Sequence, residues 1–332
     1  MDISQGYSEA VNKALAEGHD DAPQIYERLR EEATTLEEQA NLDFLHQVYL
    51  EARMPSSFFE LPITTPDLTF EAFYALLSNT FDPAELLPKE YFLFGFERMK
   101  TQPQPSNYIL VGRFWRTLGP QLYSPDGDLS QFVYDPLTVS QHIASLLTGN
   151  YMPIQSEVNS AGSIGAISYI ATRKALRGHG HSQALLASFE KSILQLAELR
   201  GQIPILLFAE ASEGSQGFWA RSGYRWPSHV YYAQPPIDFD EQTGAPLFHE
   251  VPETLMIKMI GDGEHKSIDV RLLQDIVTTI YNNWYLIRAA SFPALAAQRA
   301  RDYVMQKVYG DFLASLPSDS STIPLVVPPI SS

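Results

Sequence analysis

The stretch of sequence that decides the fold is residues 163–224. It begins with SIGAISYIAT (163–172), continues with RKALRGHGHS (173–182) and ends with FWARSGY (218–224). The first part is an apolar run of strand length, and the second is a loop with two glycines. A second apolar run at 203–208 predicts another strand. Between the loop and that strand, apolar residues recur at the spacing of one helix face: Leu185, Leu186, Phe189, Ile193 and Leu196.

The loop has the composition of an anion-binding site at the start of a helix. It consists of Arg177, Gly178, His179, Gly180, His181 and Ser182. The first N–H groups of a helix have no acceptor within the helix, and the helix dipole is positive there, so a pyrophosphate can bind the backbone. Glycine permits a close approach, and Arg177 adds a charged fork. The alternative interpretation is an ordinary flexible turn before a helix.

The order of these segments resembles the GCN5-related N-acetyltransferase superfamily. The resemblance rests on the Arg/Gly loop after a strand and on the later aromatic pair Phe218 and Trp219, followed by Gly223 and Tyr224. It implies a mixed α/β (α+β) fold, in which a mostly antiparallel twisted sheet is flanked by helices and the strand before the loop is the fourth. It also implies that the loop binds the pyrophosphate of an acyl-coenzyme A.

The same resemblance implies roles for further residues. Backbone groups of Ile170 and Thr172 are expected to bind the pantetheine arm, with Phe218 also at the cofactor. Two positions depart from the family pattern. Ser182 stands where glycine or alanine is usual and still offers an N–H group. Trp219 stands where many members have the tyrosine that protonates the leaving thiolate, and an indole cannot act as that acid.

Acyl transfer to an amine also requires a proton acceptor. Glu210 ends the second predicted strand, where the two central strands should separate, and a partly desolvated carboxylate there could take the proton. The alternative is a solvated acid at a strand end. Tyr224 is the second catalytic candidate, although most such tyrosines only pack. His142 is a further candidate base. His179 and His181 lack a third ligand nearby, so no metal site is predicted.

Composition limits the classes of function. The chain has 332 residues, no cysteine and a formal net charge of −16. Disulfides and thiolate catalysis are excluded, and the negative charge disfavours nucleic acid while attracting cationic amines, unless it serves solubility alone. The N-terminal residues do not form a signal sequence, and no apolar run approaches the length of a membrane span. A cytoplasmic protein is therefore expected.

We expect four segments along the chain. These are a helical N-terminal extension at 1–55, an acyltransferase domain at 56–262, a C-terminal helical extension at 263–315 and a loosely ordered Ser/Pro-rich tail at 316–332. The alternative for part of the tail is that Leu325, Val326 and Val327 dock onto another part of the protein. Within the domain, 70–77 and 138–147 are predicted helices, and the remainder of 117–161 is a candidate lid. Strands are predicted at 91–96, 108–116, 230–233 and 254–260, the first two being strands two and three of the sheet.

The C-terminal extension is predicted to contain two helices. Ser267 is the expected N-cap of the first helix, and the second begins near Ser291 and Pro293. Their apolar faces need a partner, which could be the N-terminal helices or a second subunit, so a homodimer through the terminal helices is one expectation.

These patterns lead to two functional hypotheses. The first is an N-acyltransferase that moves an acetyl or longer acyl group from acyl-CoA to an amine of a small molecule or peptide, with an acyl carrier protein thioester as another donor. The second is a non-catalytic acyl-CoA-binding or assembly module, in which Trp219 reflects lost chemistry.

Overall fold

The computed structural model describes residues 22–35, 39, 42–43, 46, 58–64, 66, 68–81, 85–101, 107–115, 143–155, 161–261, 265–318 and 320–328. The elements before the Arg/Gly loop are α1 (Ala22–Glu32), β1 (Phe58–Pro62), α2 (Leu68–Ser78), α3 (Lys89–Thr101), β2 (Tyr108–Trp115), β3 (Ile143–Pro153) and β4 (Gly162–Thr172). The loop contains a short 3₁₀ turn (Lys174–Leu176).

After the loop come α4 (His181–Leu199), β5 (Ile203–Ala211), α5 (Gln216–Arg221), β6 (Trp226–Pro227), β7 (Ala233–Gln234), β8 (Val251–Pro252) and β9 (Thr254–Met259). The C-terminal part comprises β10 (Ser267–Asp269), α6 (Val270–Ile280), a π-helical turn (Tyr281–Tyr285), α7 (Ala294–Asp302), a second π-helical turn (Tyr303–Val308), α8 (Tyr309–Ser315) and β11 (Thr322–Val326).

The main sheet of the described residues has six strands in the order β1-β2-β3-β4-β5-β9. Only β4 and β5 pair in parallel, and α4 connects them, because parallel neighbours need a long crossover. Every other pair in this sheet is antiparallel. The prediction of a mixed, mostly antiparallel sheet flanked by helices is confirmed, and the strand before the loop is the fourth strand along the chain.

Helices cover both faces of this sheet. On one face, α4 packs Phe189 and Ile193 against Ile167 of β4 and Leu207 of β5, as the helical spacing predicted. On the other face, α2 and α3 cover the β2–β4 side. The C-terminal helices cover β4, β5 and β9 on that same face. The two groups of helices meet over the end of β4, and this junction contributes to the candidate site.

Two predicted elements have the wrong secondary structure. Residues 91–96, predicted as a strand, lie within helix α3, where Phe92, Phe96 and Met99 form one buried face. Residues 143–147, predicted as part of a helix, begin strand β3, which is buried along nearly its whole length. In both places a short apolar run fits either structure, and tertiary burial decides between them.

Other predictions held with adjusted boundaries. The helix at 70–77 and the strands at 108–116 and 254–260 are observed as α2, β2 and β9. The strand at 108–116 is the second along the chain and not the third as predicted, because 91–96 is helical and only β1 precedes it. Of the predicted strand at 230–233, only Ala233 is in a strand, the two-residue β7. Of the candidate lid, residues 117–137 lie outside the described residues, as do residues 138–142 of the predicted helix and most of the N-terminal extension. Residues 148–153, also assigned to the lid, are the second half of strand β3.

The C-terminal region agrees with the sequence predictions in part. Asp269 caps α6 in place of Ser267, accepting hydrogen bonds from the N–H groups of Arg271 and Leu272. The C-terminal helices pack on the sheet of their own chain, a partner that was not predicted. In the tail, Leu325 and Val326 belong to β11, which pairs with both β10 and β6. The division into domains and the homodimer remain predictions.

Candidate active site

The two central strands separate at their carboxyl ends. The ladder between β4 and β5 ends at the pair Ile167 and Ala209, although β4 continues to Thr172 and β5 to Ala211. In the pairing of β3 with β4, Thr148 faces Tyr169 and Gly149 faces Ile167, so Ser168 forms a bulge where the strands part. A cavity of about 590 Å³ opens at this gap.

The Arg/Gly loop forms one wall of this cavity. Gly178 and Gly180 have φ angles of +85° and +78°, a region that side chains other than glycine rarely adopt. Gly180 is the N-cap of α4, and its carbonyl accepts the N–H of Ala184 at 3.0 Å. The first N–H groups of α4 therefore lie beside the cavity, where an anion can accept hydrogen bonds from them.

Side chains tie the loop to the end of β4. The hydroxyl oxygens of Thr172 and Ser182 are 2.6 Å apart, and Arg177 Nε donates to the Thr172 carbonyl at 3.2 Å. Arg177, Gly178, Gly180, His181 and Ser182 line the cavity together with Ile170 and Thr172. The loop is thus held against the strand end with its helix start turned toward the gap.

The two loop histidines differ in position. His181 lines the cavity and is 3% exposed, whereas His179 is not among the lining residues. Burial lowers the pKa of His181 to about 4, so this imidazole is neutral at physiological pH. Among the residues that the structure describes, no group of three or more His, Asp or Glu is arranged to hold a metal ion.

The opposite wall of the cavity carries Glu210 at the end of β5. Its Oε1 accepts a hydrogen bond from the Tyr232 hydroxyl, and its Oε2 accepts one from the Tyr285 hydroxyl at 2.5 Å. Burial raises the pKa of Glu210, and the two tyrosine hydrogen bonds oppose that rise because they favour the carboxylate.

A second carboxyl group, Glu253, faces the same cavity from the start of β9. Its backbone N–H donates to the Tyr232 carbonyl at 3.1 Å. Burial raises the pKa of Glu253 to about 8, and the nearby charges of Glu210 and Glu85 add to the rise. The cavity therefore has a cluster of three carboxyl groups opposite the anion-binding loop.

The aromatic residues in and after α5 divide between the cavity and the core. Phe218 and Trp219 line the cavity, and their ring centroids are 5.1 Å apart. Tyr224 packs edge-on against Trp219 and is 1% exposed, and it is not among the lining residues. Burial raises the pKa of Tyr224 well above its usual value. The geometry gives no support to a catalytic role for this hydroxyl.

Most of the predicted site residues come together in the cavity. Those that line it are Ile170, Thr172, Arg177, Gly178, Gly180, His181, Ser182, Glu210 and Phe218. His179 and Tyr224 lie outside its lining, and His142 lies outside the described residues. The chemical roles assigned to all of these residues remain predictions.

Glu253 and Tyr285 line the cavity but were not predicted from the sequence. Glu253 precedes a predicted strand, and β9 begins where β5 ends, since Thr254 pairs with Ala211. The pairing of these two strands brings Glu253 near Glu210, so the predicted strand at 254–260 was the signal that could have located Glu253. Tyr285 had no local signal, because it belongs to the turn after α6 and reaches Glu210 only through the packing of the C-terminal helices on the sheet.

No protein-family model and no curated protein matches the chain. Among solved structures, NAA60 of Arabidopsis thaliana in complex with a bisubstrate analogue is similar at 12% identity and a TM-score of 0.40, over 62% of this chain and 100% of that one. An acetyltransferase of the GNAT family from Streptococcus pneumoniae is similar at 16% identity and a TM-score of 0.35, over 61% and 99%.

A third similar structure is glucosamine-6-phosphate N-acetyltransferase from Arabidopsis thaliana, at 12% identity and a TM-score of 0.34, over 50% of this chain and 90% of that one. None of the described helices is long and apolar enough to cross a membrane.

Proposed function

We propose that this chain is an N-acyltransferase of the GCN5-related superfamily, which moves an acyl group from a coenzyme A thioester to an amine. One observation carries the proposal: the gap between β4 and β5 joins an anion-binding helix start to a cluster of partly buried carboxyl groups in one cavity. A thioester donor needs the first feature, and a cationic amine acceptor needs the second.

The donor side of the cavity suits a phosphorylated pantetheine arm. The positive-φ glycines Gly178 and Gly180 bring the backbone close to a pyrophosphate, and Arg177 supplies a positive charge beside it. Between the separated strands, backbone groups near Ile170 are available to an extended pantetheine arm in place of strand pairing. Acetyl and longer acyl groups, and an acyl carrier protein in place of coenzyme A, all fit this proposal.

The acceptor side suits an amine that arrives as an ammonium ion. Glu85, Glu210 and Glu253 surround that part of the cavity, and the net charge of −16 attracts cations from a distance. The amine nitrogen, once neutral, attacks the thioester carbonyl carbon, so that a C–N bond forms and the C–S bond breaks. The acceptor in this proposal is an amine of a small molecule or a peptide.

A cytoplasmic location is part of the proposal, because a chain without cysteine suits a reducing compartment.

A second candidate function is favoured by Trp219. This residue lines the cavity where related enzymes are expected to carry a tyrosine acid, and its indole cannot protonate a thiolate. A chain that binds acyl-CoA without turnover would need no such acid. The two candidates share donor binding and differ in thiol release.

The test combines binding and turnover. Acetyl-CoA is titrated by calorimetry into the wild-type chain and into Gly180→Val, with Gly310→Ala as the matched control, since Gly310 has an ordinary φ and open space around it. Valine at a positive φ strains the loop and moves it from the phosphates, so we expect at least about a fivefold loss of affinity. Equal affinity in a folded Gly180→Val protein would contradict the donor site.

Thiol release from acetyl-CoA and from octanoyl-CoA, with and without a panel of primary amines, then separates the enzyme from the binding module. Amine-dependent release supports the transferase. Tight acetyl-CoA binding without any release, over the whole panel, supports the second candidate.

A further inference from the structure

The position of Glu210 at the end of β5 makes it a candidate base. Both of its carboxylate oxygens, however, already accept hydrogen bonds. Tyr232 donates to one oxygen and Tyr285 to the other. Each of these bonds favours the ionised form and ties up a lone pair in the plane of the carboxylate. Burial still raises the pKa of Glu210 overall, so its assignment rests on geometry: both oxygens already have donors, and the pair of tyrosines holds the carboxylate in place to attract a positive charge.

Glu253 lines the same cavity but, unlike Glu210, has a carboxyl oxygen without a hydrogen-bond donor. Its Oε2 is buried and has no hydrogen-bond partner among the described residues. Its backbone is anchored, because the N–H of Glu253 donates to Tyr232, whose side chain bonds Glu210. A buried carboxyl oxygen without a partner is costly, and such groups are characteristic of functional sites.

The charged groups that share the cavity with Glu253 come from several elements. Glu210 faces it from β5 and Glu85 from the segment before α3, while Arg177 and Arg221 line the donor side. Both neighbouring carboxylates disfavour a negative charge on Glu253, and burial disfavours it further, so the group has a high affinity for a proton.

We propose that Glu253 is the catalytic proton acceptor of the acyl transfer, and that Glu210, held by Tyr232 and Tyr285, is the positioning residue that binds the ammonium group of the acceptor. The assignment rests on the proposed function and identifies the acceptor as a primary amine that enters as a cation.

The protons and electrons of this step balance. The ammonium ion gives one proton to the Glu253 carboxylate, which frees the nitrogen lone pair. That lone pair forms the C–N bond to the thioester carbonyl carbon, and the electrons of the C–S bond leave with sulfur. A second proton of the nitrogen passes to the departing thiolate. Glu253 finally releases its proton to water, so the net products are an amide, a thiol and one proton.

The test measures kcat/KM against pH for acetyl-CoA with butylamine, phenylethylamine, spermidine or an alanine tripeptide, using the best of these acceptors. The variants are Glu253→Gln, Glu253→Asp and Glu210→Gln, with Glu198→Gln as a control on the exposed face of α4. In the wild type, we expect a rate that rises with pH as Glu253 ionises, with a midpoint near the pKa of about 8.

We expect Glu253→Gln to lose that rise and to lower kcat/KM by about 10²-fold or more, with partial recovery in Glu253→Asp. Glu210→Gln should keep the rise, with its midpoint moved to lower pH because the Glu210 charge contributes to the raised pKa of Glu253, and should mainly increase the KM for the amine. If Glu253→Gln keeps the same pH dependence and a rate within about threefold of wild type, the proposal is overturned.

Two measurements separate this inference from the proposed function and from misfolding. Acetyl-CoA affinity by calorimetry should be unchanged in Glu253→Gln, whereas a wild-type chain that binds no acetyl-CoA would contradict the proposed function itself. Carboxyl-labelled glutamate followed by ¹³C NMR should show one group that titrates near pH 8 in the wild type and is missing in Glu253→Gln. A group near pH 8 that persists in this variant would also overturn the assignment.

Discussion

The Tyr285 hydroxyl donates a 2.5 Å hydrogen bond to Oε2 of Glu210, and these residues are 75 positions apart in the chain. Tyr285 lies in the π-helical turn after α6, so the C-terminal helical region completes the cavity between β4 and β5. The region is therefore part of the candidate site as well as part of the core.

Replacement of Tyr285 by phenylalanine should destabilise the protein at neutral pH. The variant leaves one oxygen of a desolvated carboxylate without its donor, at a cost of about 1–3 kcal/mol, and it raises the pKa of Glu210 further. Urea unfolding measures the change. Tyr231→Phe is the matched control, because Tyr231 is 40% exposed. Equal midpoints for the two variants would contradict the structural role of this hydrogen bond.

Asp269 and Ser267 provide a direct comparison of two candidate caps for α6. Asp269→Ala removes the acceptor of two first-turn N–H groups and should lower the free energy of unfolding by about 0.5–2 kcal/mol. Ser267→Ala, two residues earlier on an exposed position, should change it by no more than a few tenths of a kcal/mol. Thermal melts of the two variants measure this difference, and a larger loss in Ser267→Ala would reverse the assignment of the cap.

Removal of the chain after Ile260 should prevent stable folding. Ile276 and Ile280 of α6 and Phe312 of α8 are at most 2% exposed and pack in one cluster with Leu206 and Phe208 of β5. Each such side chain contributes about 1.5–3 kcal/mol through burial, so their combined loss is comparable to the whole stability of a typical domain. We expect an aggregated product on size-exclusion chromatography.

The control for this truncation is a chain that ends at residue 328, which keeps strand β11. This shorter deletion should leave a monodisperse protein with a cooperative melt. A soluble, cooperatively folding and active product from the truncation after Ile260 would show that the C-terminal helices are dispensable.

Glu253 should make stability depend on pH in a specific direction. Its pKa is raised from an ordinary 4.5 to about 8 in the folded chain, so the folded state holds a proton that the unfolded state has lost. Stability from this group is therefore present below about pH 4.5 and declines as pH rises toward 8. Glu253→Gln should match wild type near pH 5 and exceed it in melting temperature at pH 8–9.

Glu198→Gln, on an exposed face of α4, serves as the control for a Glu-to-Gln change outside the cavity. A constant difference between wild type and Glu253→Gln from pH 5 to 9 would mean that Glu253 titrates as an ordinary exposed carboxyl group.

Short apolar runs mark the limit of prediction from sequence in this chain. Residues 92–96 alternate aromatic and other residues as a strand would, yet Phe92 and Phe96 also lie four apart, and packing against Phe70 of α2 selects the helix. The run at 143–147 fits a helix equally well, but burial on both faces of the sheet selects the strand β3. Neither run determines by its own sequence whether it forms a helix or a strand.

The sequence alone determined the strand, loop and helix around Gly178 and Gly180, because glycine at a helix start and apolar residues at helical spacing act through neighbouring positions in the chain. Glu210 at the gap between β4 and β5 followed from the order of the strands. Only the tertiary structure placed Glu253 and Tyr285 around Glu210. The properties of those groups depend on burial and on partners distant in the chain, which no local pattern encodes.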